Sequence, residues 1–424
     1  MDAPHGKKHL LVRLLAVMLL CLVLPLVRSA AGAEEGIYLT FTFDNKAAQG
    51  IRQVGGLQIS AVPKWDLSLP SLAKTYKDYF LIGNVMSANQ TSDPELTAMY
   101  KHHYNLVTAE NDMKPQYLAP AKGRYNFVSA DMLVDWAIAN NIKVHGHTLV
   151  WHSQSPLWLT RSAGQPLTRA EAGENLREYI ANVAGHFRGK VISWDVVNEA
   201  FADGVPVFGD WKKALRKDSP WYLAYENGAD KSKNESGADY IYDAFVFARL
   251  ADPGATLYYN DYNETDVWKR EAIALMAEDL NGKWKADPRN SEPDRPLVEG
   301  LGMQAHYWLD TLNVADVEAT IVRFIKAGVR IGLSELDIPA GSYTAQRTPP
   351  LTKEEEIKQA RLYAELFVIF KKYAKNIERV TFWGKADSQS WRANGSPLLF
   401  DEKFAAKQAY YAVIDPEGYL EKTL

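Results

Sequence analysis

Along this chain, short bursts of apolar residues alternate with longer stretches whose apolar positions fall three and four residues apart. The bursts at 80–85, 105–109, 143–149, 192–197, 256–259, 300–304, 331–335 and 380–383 predict short buried strands. The stretches between them predict helices, and two open with a capping box, Thr168 with Glu171 and Thr352 with Glu355. In the helix from Lys353, residues Ile357, Ala360, Ala364 and Phe367 share one face and are expected to form its core stripe. Eight strand-helix units over roughly 340 residues suit an α/β fold of the closed (β/α)8, or TIM barrel, type. A doubly wound sheet is the alternative, but it usually has fewer units. No repeat, low-complexity block or long Pro/Ser linker interrupts the pattern, so a single domain is expected over 78–424.

The pattern upstream is different. Lys7 and Lys8 precede an uncharged apolar run from Leu14 to Val27, followed by Ser29 and the small residues Ala31, Gly32 and Ala33. That order predicts a secretory signal peptide over 1–33, because the run falls short of the roughly 20 residues that span a bilayer. The mature chain is then expected to be secreted, extracellular or periplasmic, and free of the membrane. Its sole cysteine, Cys21, lies inside the run, so after cleavage no disulfide is available and packing must supply the stability. Residues 34–77 form an extension of unclear role. There Ile37, Leu39 and Phe41 alternate with Tyr38, Thr40 and Thr42, and Gly55-Gly56 marks a turn, consistent with a small hairpin or with the end of a lost accessory region.

Composition narrows the partners. With 47% hydrophobic and 24% charged residues among 424, a large core is within reach. A net charge of -4 offers no basic footprint, which argues against nucleic acid and leaves a neutral polymer open. Aromatics reach 12%, with 12 Trp, enough to provide stacking platforms for sugar rings beyond the needs of a core.

Barrels of this type carry their chemistry at the C-terminal ends of the strands. Polar residues gather at those ends here: Glu110, Asn111 and Lys114; His147, Trp151, His152 and Gln154; Asn198 and Glu199; Asn260, Asp261 and Tyr262; Gln304 and His306; Glu335 and Asp337; Trp383, Asp387 and Trp391. A lone Asn after a strand is often a turn former and a lone Trp is usually core. Hydrogen-bonding or aromatic groups at nearly every strand end are harder to dismiss. Two carboxylates from two strand ends, Glu199 and Glu335, are what glycosidic hydrolysis requires, one to protonate the leaving oxygen and one to attack or to activate water.

The stretches Glu110-Asn111 with Lys114, Gly146-His147-Thr148-Leu149-Val150-Trp151-His152-Ser153-Gln154-Ser155-Pro156, Trp194-Asp195-Val196-Val197-Asn198-Glu199, Asn260-Asp261-Tyr262-Asn263, Gln304-Ala305-His306, Ser334-Glu335-Leu336-Asp337, and Trp383-Gly384 with Asp387, Ser390 and Trp391 occur in this order. Together they resemble glycoside hydrolase family 10, the endo-β-1,4-xylanases, over nearly all of the mature chain. The resemblance implies a retaining mechanism with Glu199 as general acid/base and Glu335 as nucleophile, acting on xylan and xylo-oligosaccharides without cofactor or metal. It implies that Asn198 contacts the 2-hydroxyl of the reacting sugar, and that His306 and Asp337 orient Glu335. Glu110, Asn111, Lys114, His147, Trp151 and Gln154 resemble the glycone-side contacts. Asn260, Tyr262 and Gln304 are read as further substrate contacts, and Trp383 and Trp391 as walls around the reacting sugar. A monomer is expected. The chain departs from the family pattern at Pro115, where Trp is common, at Ser334, where Thr is usual, and at Lys385, where an apolar residue is common. Residues 227–237 read as an insertion positioned to reshape the aglycone side.

Rival readings use some of the same residues. His145, His147, His152, His306 and Asp337 are candidate ligands of a metal hydrolase. The run Gly300-Leu301-Gly302-Met303-Gln304-Ala305 loosely fits a dinucleotide fingerprint but falls within a strand. A xylan-binding protein on a hydrolase fold and an exo-acting, xylobiose-releasing enzyme complete the alternatives. Asn89, Asn234, Asn263 and Asn394 begin Asn-x-Ser/Thr acceptor patterns, which matter in a glycosylating host.

Overall fold

The computed structural model describes residues 37–39, 59–61, 65–342, 345–346 and 350–423. The expected signal segment lies outside the described residues. The chain divides into two units, Met1–Trp65 and Asp66–Leu424. In the first, Ile37–Leu39 pairs antiparallel with Ile59–Ala61. The second unit takes in Asp66 to Lys77 as well as the expected domain. There Tyr76 is buried against Phe80 and donates its hydroxyl to the Val413 carbonyl.

The second unit holds eight parallel strands closed into a barrel: β1 Leu81–Met86, β2 Leu106–Ala109, β3 Lys143–Trp151, β4 Ser193–Asn198, β5 Thr256–Asp261, β6 Gly300–Met303, β7 Arg330–Leu336 and β8 Ile377–Phe382. Neighbours in the barrel are neighbours in the chain, and β8 pairs back onto β1. The eight expected strands are these eight, with shifted ends. β8 starts earlier than expected because Glu378 and Arg379 interrupt the apolar run, although Arg379 is fully buried inside the barrel. β3 and β5 run longer, so Trp151, Asn260 and Asp261 belong to the strands themselves.

Helices α1 Pro94–His103, α2 Val128–Ala139, α3 Arg169–His186, α4 Asp239–Ala251, α5 Val267–Lys285, α6 Val314–Lys326, α7 Lys353–Lys372 and α8 Gln408–Ile414 follow the strands in turn. Both expected capping boxes form, at the starts of α3 and α7. The stripe expected on α7 is partly corrected. Ala360, Ala364 and Phe367 are buried, but Ile357 is 38% exposed, and Gln359 takes the buried face by donating to the carbonyls of Ile338 and Ser396.

Polar groups inside the barrel form a floor beneath the strand ends. Asp195 on β4 lies 3.0 Å from His145 Nε2 and 2.9 Å from His147 Nδ1, both on β3, and the Arg379 guanidinium sits 4.2 Å from the centre of the Tyr258 ring. The glycines of β6 serve packing. A Cβ at Gly302 would meet the side-chain oxygen of Asn260 at 2.2 Å, so this backbone must approach β5 bare. Among the described residues no helix is long and apolar enough to cross a membrane.

Candidate active site

At the C-terminal mouth of the barrel lies a cleft of about 480 Å³. Its lining contains Glu110, Asn111, Lys114, His147, Trp151, Gln154, Asn198, Glu199, Tyr262, Gln304, His306, Glu335, Trp383 and Trp391, nearly all of the residues expected there. Seven of the barrel's strands, or the loops following them, supply these groups. Closing the barrel is therefore what brings them together from across the sequence.

Glu199 follows β4 immediately and holds a left-handed backbone at φ +57°. A non-glycine residue stays there when its surroundings hold it. Its N–H donates to the Asn260 carbonyl at 2.9 Å, and its carbonyl accepts from Arg216 Nε at 3.1 Å. The side chain is held from both sides. Trp151 Nε1 donates to Oε2 at 2.8 Å, while Gln304 Nε2 and Asn198 Nδ2 donate to Oε1 at 2.9 and 3.2 Å.

Glu335, near the end of β7, is 5% exposed. Asn260 Nδ2 donates to its Oε1 at 3.0 Å, and His306 Nε2 lies 3.1 Å from its Oε2. The far side of that imidazole faces Asp337, with Nδ1 to Oδ2 at 3.0 Å. Burial alone would lower the pKa of His306, but Asp337 and then Glu335 overcome it and hold the ring cationic, with its pKa raised to about 10. Asp337, fully buried, also accepts from Arg392 at 2.7 Å and from Trp391 Nε1 at 3.1 Å. Trp391 is thus fixed at one edge of the cleft while remaining 64% exposed.

Asn260 is where the expected substrate contacts need correction. It is fully buried and does not line the cleft. Ser334 Oγ donates to its side-chain oxygen at 2.7 Å, which orients the amide so that Nδ2 donates both to Asn198 Oδ1 and to Glu335 Oε1 at 3.0 Å each. Two amides, Asn198 and Asn260, thereby link the two carboxylates. Ser in place of the usual Thr keeps the hydroxyl on which this depends. Gln304, almost buried, is both a lining residue and a clamp on Glu199.

On the side of β2 and β3, Lys114 Nζ bonds Asn111 Oδ1 at 3.0 Å and Gln154 Oε1 at 2.8 Å, and burial lowers its pKa against the pull of Glu335, Glu110 and Glu199. His147 spends Nδ1 on Asp195, leaving Nε2 for the cleft. On the opposite side, past β4 and β5, Tyr262 hydroxyl accepts from Arg216 and donates to Asp203 Oδ2 at 3.1 Å, and Lys269 Nζ lies 3.8 Å from the ring centre.

Several expectations do not reach the cleft. Asp387 turns inward, accepting from Leu398 N at 2.7 Å and from Lys407 at 2.9 Å. Residues 227–237 line none of it. They brace the start of α3, where Arg169 donates to the Ser236 carbonyl at 3.0 Å and pairs with Glu235 at 3.2 Å. Conversely, Asn263, Trp308 and Arg392 line the cleft and Arg216 supports Glu199, none of them singled out from the sequence as a contact. Arg392 lies next to Trp391 and Trp308 two residues past His306, whereas Arg216 sits in a loop with no pattern to mark it. Of the candidate metal ligands, His145 and His147 share Asp195, and His306 is engaged with two carboxylates. Among the described residues no group of three or more His, Cys, Asp or Glu is arranged to hold a metal ion.

A family model described as glycosyl hydrolase family 10 matches residues 71–416. Endo-1,4-beta-xylanase A of Thermotoga maritima is 37% identical over 358 residues, covering 82% of this chain and 31% of its own length. The chain thus spans about a third of that relative. A beta-1,4-xylanase of Dictyoglomus thermophilum is 36% identical, covering 82% of this chain and 91% of its own. Among solved structures, xylanase XynB of Paenibacillus barcinonensis superposes with a TM-score of 0.71 at 33% identity, covering 82% of this chain and 99% of that one. A GH10 xylanase with a bacterial Ig-like domain from termite gut reaches 0.74 at 37%, covering 86% and 82%.

Proposed function

Because the chain belongs to glycosyl hydrolase family 10, we propose that it is an endo-1,4-β-xylanase that cleaves internal bonds of xylan with retention of configuration. The observation that carries this reading is the linked pair of carboxylates. Glu335 is buried and braced by an amide and an imidazolium, and Glu199 is aimed by three donors, Trp151, Asn198 and Gln304, from three different strand ends.

In this reading Glu335 attacks the anomeric carbon while the Glu199 carboxyl gives its proton to the departing oxygen; Glu199 then takes a proton from the water that breaks the glycosyl ester. Asn198, held by Asn260, presents its amide to the 2-hydroxyl, a contact that strengthens as positive charge develops on the ring. His306 sets a positive charge beside Glu335. Trp383 and Trp391 bound the reacting sugar, and crowding by Trp391 disfavours the hydroxymethyl group that distinguishes glucose from xylose. The protein carries out these steps with its own side chains.

We also propose that residues 1–33 direct export and that the mature chain is a secreted monomer. N-terminal sequencing of protein from culture medium, together with its elution volume, tests both statements. The catalytic reading is tested by product analysis over time on glucuronoxylan and on carboxymethylcellulose, with Glu335→Ala as the blank. Mixed xylo-oligosaccharides released early from xylan alone are the expected result. Xylobiose alone would shift the reading to exo action, and binding without turnover would replace it with a xylan-binding protein.

A further inference from the structure

Lys385, just past β8, carries a buried ammonium, and the structure gives that charge a place. Asn84 on β1 grips the backbone just before it, donating to the Gly384 carbonyl at 2.8 Å and accepting from its N–H at 3.2 Å. The lysine side chain leaves from this fixed point and is 2% exposed. Its Nζ donates to Gln90 Oε1 at 3.1 Å and lies 3.7 Å from Glu110 Oε2. Gln90 is itself fixed, because the same oxygen accepts from Ser87 N at 3.0 Å. Glu110 lines the cleft, with its side chain one-third exposed. A buried ammonium therefore meets a carboxylate that faces substrate.

The position of this pair in the barrel follows from the strand order. Glu199 and the Tyr262 cluster come from β4 and β5, so the leaving group departs on that side. Lys385, Gln90 and Glu110 follow β8, β1 and β2, which lie together across the mouth. The pair thus stands on the glycone side, beyond the sugar held between Glu335 and Trp391.

Building on the xylanase reading, we propose that Lys385 is a positioning residue that fixes the Glu110 carboxylate, and so sets how strongly the sugar next to the reacting one is held. The ligand is a neutral xylose unit whose hydroxyls donate to Glu110. A lysine kept for stability alone has little to recommend it here. Burial lowers its pKa against the pull of Glu110, and an apolar side chain of similar size is often neutral or stabilising in place of a buried ion.

An aryl β-xylobioside fills this glycone position and an aryl β-xyloside does not, so comparing the two substrates isolates it. Lys385→Met is expected to lower kcat/KM on the xylobioside about tenfold, chiefly through KM, the size of a weakened hydrogen bond to a charged group. The xyloside rate is expected to stay unchanged. On the xylobioside Glu110→Gln should show a like loss, the double variant should be no worse than either single one, and Lys385→Arg should recover most of the loss. Equal losses on both substrates, or additive losses in the double variant, would overturn the proposal. Should Lys385→Met fail to fold, Lys385→Gln takes its place, and the same difference between the two substrates decides it. A wild-type protein inactive on both substrates would overturn the hydrolase reading itself, a result distinct from an active enzyme indifferent to Lys385.

Discussion

In the proposed reaction Glu335 attacks carbon from a buried site, where a carboxylate needs a positive group close by. His306 supplies that group. Its imidazolium forms below about 10 in the folded protein, above its ordinary value of 6.5, so the stability it contributes is complete below 6.5 and is lost as pH rises through about 10. Unfolding titrations of wild type and His306→Gln should therefore diverge most in acid and neutral solution and converge at high pH. At the reaction itself, Glu335→Ala is expected to abolish turnover of every substrate. Glu199→Ala should keep part of its rate on aryl glycosides whose leaving groups need no proton. Equal loss on both substrate types would remove Glu199 from the acid role. Both carboxylates were legible in the sequence because each ends an apolar run. Arg216 was not, since a contact to the Glu199 carbonyl leaves no trace in a loop.

Strand ends explain why some expected contacts turned into supports. Period-two alternation predicts which residues share a face, but irregularities in register fall between His147 and Val150 on β3, between Asp195 and Val197 on β4 and between Leu333 and Leu336 on β7. Such bulges re-aim side chains at the points where the site is built. Asn260, on β5, shows that a strand end need not reach the cleft. It ends a strand as a sugar-binding amide would, yet it sits one layer below the cleft and spends its amide on Asn198 and Glu335. Asn260→Ala should thus leave two buried groups short of a donor, costing about 1–3 kcal/mol of stability. The rate should fall on long and short substrates alike. Gly302→Ala is expected to mimic it, because its new Cβ lands on the Asn260 side chain. Thermal melts and paired assays check both variants, and a full rate with a lowered melting point would confine Asn260 to folding.

Across the whole molecule, eight bursts of apolar residues sufficed to anticipate the barrel, since each strand-helix unit is local and chain order equals barrel order. Charges inside the barrel were illegible for the opposite reason: Arg379 reads as surface and is buried. Glu264 is another such group. Burial pushes its carboxyl up to about 7 from an ordinary 4.5, with Tyr307 donating to it at 3.0 Å. The folded chain then holds this proton more tightly than the unfolded one. Stability therefore falls as pH rises from 4.5 to about 7. Glu264→Gln should match wild type in melting temperature at about pH 4 and exceed it at about pH 8.

The claim that Glu199 and Glu335 act as a retaining pair on xylan is tested most directly by proton NMR of xylohexaose during the first moments of cleavage, before the new reducing ends mutarotate. The β-anomer appearing first, at internal bonds and absent with Glu335→Ala, is the expected result. First appearance of the α-anomer would contradict it, because water rather than Glu335 would then have attacked the sugar.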